Sequence, residues 1–407
     1  MASRRLRPRF SLLVLMLGTL FAGSCLGLWW RWAPWALVHE MRAHKSSVHA
    51  VGFSPDGQLI ASRGSDDRSV SVWDAATGQR RTALDKHLNT FGYAVFSNDS
   101  RRLAISAIGD LAQLWDAGTG KLQACLEYEG CTGGGAVWSP DDRWIATFDY
   151  GDSIIVWSAE TGNVQAVLTC SDRVASVAFS PDGQRIATGD FVGTVGFWDT
   201  ETGRALDPLE RHVETVWVVG FSPDGRRLLS ASEDLVLRVT DLETLRQPFT
   251  VRGHRVLAAR FGTGAQTLEA WCMDNRTRTW SVETGELLAT GHGGFPIDED
   301  RTLDCSNGHA LIVDVTDGHT LATLKGRGQT THCAEVSPQS DRIVTGHVNG
   351  TVAIWHRRRP EWWWGLLWLP ESWLALLSAG ALAVIAVQTA RTNIPQQSTP
   401  RAQRTEG

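Results

Sequence analysis

VHAVGFSPDGQLIASRGSDDRSVSVWDAATGQRRTAL, running from Val48 to Leu84, carries three punctuation marks that the rest of the chain repeats. Ser54-Pro55-Asp56-Gly57 is a tight-turn sequence, because Pro presets the second turn position while Asp and Gly accept the remaining turn geometry. Val72-Trp73-Asp74 closes an apolar run, and Thr77-Gly78 follows it. Turns at these places delimit four strands, expected at 48–54, 58–63, 69–73 and 79–84. In them Val, Ile, Ala and Phe alternate with polar residues, as a sheet packed on neighbours requires.

The hydrophobic-Trp-Asp ending returns, in places degraded, at Leu114-Trp115-Asp116, Val156-Trp157-Ser158, Phe197-Trp198-Asp199, Val239-Thr240-Asp241, Thr279-Trp280-Ser281, Val313-Asp314-Val315 and Ile354-Trp355-His356. Steps of 42, 42, 41, 42, 40, 34 and 41 residues separate them. The turn signal keeps the same beat at Ser97, Ser139, Ser180, Ser222 and Ser337, and Thr-Gly at Thr119, Thr161, Thr202 and Thr284. A unit of this length cannot bury its own apolar face and must stack on copies of itself.

Three periodic markers in register resemble the WD-repeat β-propeller family over residues 34–359. The resemblance implies an all-β propeller of eight four-stranded blades, or seven if the short seventh unit, between Leu288 and Asp314, forms none. That unit has room only for a shortened inner strand. The resemblance also implies a hydrogen-bonded framework within a blade, placed here on His44, Ser62, Asp67 and Trp73. His212 with Asp234, and His254 with Asp274 and Trp280, match it in part. Thr240 replaces Trp in the fifth unit and several units lack the His, so those blades are expected to pack more loosely. Residues 35–41 look like the outer strand of a blade, whereas the last unit ends near Trp355 without one. The first strand is therefore expected to close the ring on the last blade and remove its open edge.

Both ends of the repeat region run into apolar sequence. Residues 1–9 form a basic tail with Arg4, Arg5, Arg7 and Arg9, and residues 10–32 read as a transmembrane helix or signal anchor. Their uncharged run of 21 residues (10–30) is long enough, at about 1.5 Å per residue, to cross a hydrocarbon core of about 30 Å. Residues 362–390 read as a Trp-rich interfacial segment and a second transmembrane helix, and 391–407 as a disordered tail. Nine of the 19 Trp lie in two collars, Trp29, Trp30, Trp32 and Trp35, and Trp362, Trp363, Trp364, Trp368 and Trp373. Indole rings favour the headgroup boundary. The basic start predicts a cytoplasmic N-terminus and an extracytoplasmic propeller, although Arg357, Arg358 and Arg359 then fall on the far side. Ala22-Gly23-Ser24-Cys25 resembles a lipoprotein cleavage site, but residues 26–30 stay apolar where such a site turns polar.

Little in the chain points to chemistry. A net charge of −5 argues against nucleic-acid binding, which needs a basic surface. The seven cysteines are scattered, with only Cys125 and Cys131 close enough for a local disulfide. No Cys or His spacing matches a metal site and no phosphate loop, nucleophile elbow or cofactor motif is present, so no enzyme activity and no cofactor are expected. Most carboxylates fall at turn positions, and His292, His309, His319 and His347 read as loop residues. Trp217 and Trp271 depart from the repeat and are candidate anchors for a partner. The expected function is a membrane-tethered scaffold for a protein or peptide partner; the alternative is an extracytoplasmic small-ligand sensor or propeller enzyme using the central channel.

Overall fold

The computed structural model describes residues 35–357 except 66–68, 85–92, 107–111, 129–133, 149–150, 207–208, 210, 248, 299, 306–307 and 326–329. The first unit forms an antiparallel sheet of Val48–Phe53, Leu59–Gly64, Val70–Asp74 and Arg80–Leu84, each strand within one residue of its expected limits. These four are its inner, second, third and outer strands. Eight such sheets follow one another, and inner strands of consecutive blades are neighbours. The result is an eight-bladed propeller.

The punctuation marks are turn machinery. Ser54 Oγ donates to Asp56 at 2.6 Å, and the Gly57 N–H reaches Ser54 O at 2.7 Å with Gly57 at φ +69°. Where an Asp follows the Trp, it caps the outer turn: Asp74 Oδ1 accepts the Ala76 and Thr77 N–H groups and the Thr77 hydroxyl. Its carboxyl is pulled down to about 2, first by the Arg81 guanidinium and then by the Thr77 N–H.

Alternation gives each blade two apolar faces. Ile60 and Trp73 pack with Val344, Val352 and Ile354 of blade 8, while Leu59, Ala61, Val70, Val72 and Leu84 pack with Leu103, Ile105 and Trp115 of blade 2. Each Trp-bearing face thus meets the aliphatic face of the preceding blade. The same arrangement joins blades 2 to 3, 3 to 4, 5 to 6 and 7 to 8; in the join of 4 to 5, Thr240 stands where the Trp would be.

The indole N–H groups are bonded inside the blades. Trp73 Nε1 donates to Ser62 Oγ at 2.8 Å, and His44 Nε2 lies 2.9 Å from the same oxygen. Ser62 Oγ accepts the indole N–H and shares a second hydrogen bond with His44, whose Nδ1 faces Ser69 Oγ at 3.1 Å. Asp67 lies outside the described residues. His212 bonds Ser230 at 2.9 Å and Asp234 at 3.0 Å, but Asp274 is taken by Arg278, and His254 only approaches the Trp280 ring.

The looser packing expected of blades that depart from the framework is seen in some places and not in others: in blade 4, with Cys170 in the histidine's place, Trp198 is only half-buried, and the join of blades 4 and 5, where Thr240 replaces Trp, has a smaller buried cluster. Trp157, bonded to Thr147, and Trp355, bonded to Thr345, are as buried as Trp73, and in blade 5 Leu228, Leu229, Leu237 and Val239 are fully buried. Other groups fill the histidine's place. Cys170 approaches Thr188 in blade 4, and in blade 8 His347 reaches Thr345 Oγ1 at 3.0 Å. His347 and His292 are therefore not loop residues: His347 ends the strand Arg342–His347 and is fully buried, and His292 ends the strand Leu287–His292.

The ring closes as expected. Trp35–Arg42 pairs antiparallel with Thr351–Arg357 as the outer strand of blade 8, with one bulge between Leu37 and His39. On the inner side of the same join, Glu335 sits against Gly52 and accepts the Phe53 N–H.

Two details differ from expectation. Blade 4 has three strands, its outer strand reduced to an isolated Trp198–Ala205 bridge and a bond from Leu206 N to Phe197 O. In the seventh unit Val313, not Asp314, takes the Trp place: a bulge between Ile312 and Val313 matches that between Val72 and Trp73, and Val313 pairs with Thr320 as Trp73 pairs with Arg80. The inner strand of that blade is only Phe295–Pro296. The predicted membrane segments, 10–32 and 362–390, lie outside the described residues, and among the described residues no helix is long and apolar enough to cross a membrane.

Three outcomes test this architecture. Trp73→Phe removes the bond to Ser62 and part of the seal on blade 8, so chemical denaturation should show a loss of about 1–3 kcal/mol. Replacing residues 36–41 by a Gly-Ser run frees the edge of Thr351–Arg357, and gel filtration should show association while thermal unfolding loses its cooperativity. Burial raises the Glu335 carboxyl to about 7, above its unfolded value. Its ionisation therefore opposes folding increasingly as pH rises from the unfolded value through 7. Glu335→Gln should remove that loss, gaining about 2–4 kcal/mol over wild type at pH 8 and nothing near pH 4.

Candidate functional site

Trp217 is the second residue of the inner strand Val216–Phe221, at the rim where inner strands begin and second strands end. It is 40% exposed, and its ring meets Phe191 edge-on at 5.3 Å, while the Arg173 guanidinium lies 4.5 Å over Phe191. Around it the same rim exposes Val213 (80%), Leu235, Leu257 and Met273. This apolar arc spans blades 4 to 6, and its edge carries Asp172, Glu214 and a Glu233–Arg255 ion pair joining blades 5 and 6.

Local structure holds the arc in place. The Val213 N–H donates to Asp234 at 3.1 Å, Glu233 N to Thr215 O at 3.0 Å and Met273 N to Arg255 O at 2.9 Å, so each exposed loop is tied to a neighbouring segment. Leu235 holds φ +63°, a conformation unusual for a leucine. Val213 stands where blade 1 has Lys45, and Phe191 and Met273 stand where it has Ser65. Apolar residues at positions that are polar in the first unit are the signal that could have marked the arc in the sequence.

Trp271 is not on this face. It lies on the second strand Thr267–Cys272, where Leu268, Ala270 and Cys272 face blade 5, so it turns toward blade 7. It is half-buried, with its indole against Gly293; a Cβ there would meet Nε1 at 2.7 Å. Blade 7 supplies little inner strand, and among the described residues no cluster of buried apolar side chains joins blades 6 and 7. Trp271 fills that join. The structure thus separates the two candidate tryptophans, one exposed at the rim and one at an interface.

Other candidates for chemistry do not converge. His49 and His332 meet edge-on at 4.5 Å where blades 1 and 8 face the channel, and His332 Nδ1 is 3.2 Å from Val48 O. Burial raises the thiols of Cys170 to about 11 and of Cys305 and Cys333 to about 12, so they are poor nucleophiles. Cys125 is exposed with a free thiol, while Cys131 lies outside the described residues. Among the described residues no group of three or more His, Cys, Asp or Glu could hold a metal ion.

The family described as "WD domain, G-beta repeat" matches residues 35–74, 162–199, 203–241 and 318–356. These segments begin in or just before an outer strand and run to the end of a third strand, at Asp74, Asp199, Asp241 and His356. Similar proteins include human apoptotic protease-activating factor 1, 26% identical over 156 residues, which is 36% of this chain and 12% of that protein. The human angio-associated migratory cell protein is 29% identical over 160 residues, 35% of each chain. An uncharacterized WD repeat-containing protein of Synechocystis is 33% identical over 72 residues, 18% of this chain and 21% of its own. The chain thus spans well under half the length of these relatives. With the repeat matched in four units and eight blades built on its turns, the chain belongs to the WD-repeat β-propeller family.

Proposed function

We propose that the chain is a membrane-tethered scaffold that docks a protein or peptide partner on the apolar arc around Trp217 and performs no catalysis of its own. The observation that carries this reading is an exposed tryptophan within an apolar rim whose loops are pinned by backbone hydrogen bonds. Interface hot spots combine a packed aromatic with a surrounding edge that excludes water, and Arg173, Asp172, Glu214 and Arg255 supply polar groups around Trp217. WD-repeat propellers generally mediate protein–protein interaction. The partner that fits is a segment with an apolar anchor flanked by charge of both signs.

Tethering and orientation rest on sequence. The uncharged run 10–30, the apolar stretch within 362–390 and the flanking tryptophans support membrane attachment, and the arginines at 4, 5, 7 and 9 support an extracytoplasmic propeller with a cytoplasmic N-terminus.

A photo-crosslinking residue at position 213 of the full chain in intact membranes should capture a discrete partner, and Trp217→Ala should weaken that capture about thirtyfold, equivalent to about 2 kcal/mol, without changing thermal stability. Gln184, exposed at the opposite rim, is the control. Capture from position 184 but not 213 would overturn the docking face. Protease added to intact spheroplasts should cleave the propeller; cleavage only after the inner membrane is opened would reverse the topology.

A further inference from the structure

Blade 5 carries an open cleft of about 740 Å³ lined by Arg211, Arg238, Gln247, Thr250 and Arg252. It is not part of the apolar arc. Arg238 and Thr250 are partners across the third strand Val236–Asp241 and the outer strand Phe249–Arg252, and Arg252, two residues on, shares their face. Leu237 and Val239 pack on blade 6, so the arginine face looks toward blade 4. There, among the described residues, the outer strand is reduced to the Trp198–Ala205 bridge.

The charge in this cleft follows from how the repeat is spent. Arg238 and Arg278 occupy the same position, two residues before Thr240 and Trp280. In blade 6 the Asp at the start of the turn neutralises its arginine: Asp274 receives two bonds from Arg278, at 3.0 and 2.5 Å. In blade 5 the equivalent Asp234 is already occupied by His212 Nδ1 and the Val213 and Val236 N–H groups. Arg238 donates instead to Arg211 O at 2.9 Å, and Arg211 itself donates twice to Val192 O, at 2.9 and 2.7 Å. Carbonyls orient these two guanidinium groups without cancelling their charge. Among the described residues, none of the three arginines meets a carboxylate.

We propose that this cleft binds a phosphate monoester carried by a small hydrophilic molecule. Three guanidinium groups favour a dianion, which offsets two of their charges where a carboxylate offsets one; Arg252 and Arg238, with the N–H groups of Arg211 that Val192 does not take, can meet its oxygens. The volume lies within the range of small-ligand sites and exceeds what an inorganic ion fills. Thr250 and Gln247 offer a hydroxyl and an amide to the polar remainder of the ligand.

Titration calorimetry of the purified full chain with glycerol 3-phosphate tests this. Saturable binding is expected, displaced by inorganic phosphate and weakened by salt. Arg252→Gln is the diagnostic variant, because Arg252 is exposed and its loss should leave thermal unfolding unchanged; it and Arg238→Gln should each weaken binding at least about tenfold. Vesicles separate two sources of the ester. If Arg252→Gln loses only the extra binding that phosphatidic acid adds to phosphatidylcholine vesicles, the phosphate belongs to a lipid headgroup; if vesicle binding is the same in both proteins while glycerol 3-phosphate binding falls, it belongs to a soluble ester. No saturable binding overturns the proposal, and so does binding unaltered in both variants.

Discussion

Every blade has two apolar faces and none can leave either in water. That constraint governs the molecule, because a row of such sheets is satisfied only when the last meets the first. A fully buried Ile or Leu contributes about 1.5–3 kcal/mol, and each apolar join assembles several of them from two blades. The strand Trp35–Arg42 matters out of proportion to its length, since it completes blade 8 with residues from the other end of the repeat region. Its Met41 also packs with the cluster that joins blades 8 and 1.

The tryptophans solve a second problem created by the first. A ring large enough to seal a join brings a buried N–H with it, and an unbonded donor would cost more than the bond contributes. The threonine or serine in the second strand accepts that N–H in blades 1, 3, 4 and 8. What lies behind the hydroxyl varies: His44, Cys170 or His347. The requirement is a satisfied donor, and several side chains meet it, so blades 3 and 8 keep a deeply buried Trp without the family's histidine.

Blade number, strand limits and ring closure were legible in the sequence because turns are local: Ser54-Pro-Asp-Gly57 and Asp74 build them from their own side chains. Where the marks decay, local reading slips. In the seventh unit an apolar-Asp pair could be aligned on either residue, and only the pairing of Val313 with Thr320 decides. The burial of Trp271 depends on what the adjacent blade supplies, and no periodic signal carries that. Trp217 could be singled out as an exception to the repeat, but Leu257 and Met273 come from the next unit, and only the ring brings them beside it and Val213.

Function in such a fold is expected where copies differ, and the differences here are of a particular kind. Arg238 and Arg278 are the same residue at the same place, yet one is cancelled and the other is not, because Asp234 is committed to His212 whereas Asp274 is free to take its arginine. Trp217 and Trp271 have opposite fates because they stand at different places, one at the rim end of an inner strand and the other on a second strand that faces the short inner strand of blade 7. A single repeat therefore does not encode what its side chains do; that property belongs to pairs of neighbouring blades. The framework histidine of blade 5 orders the loop that presents Val213 to the apolar arc through Asp234. By the same bonds it withholds that carboxylate from Arg238, so one local commitment shapes both the rim and the cleft.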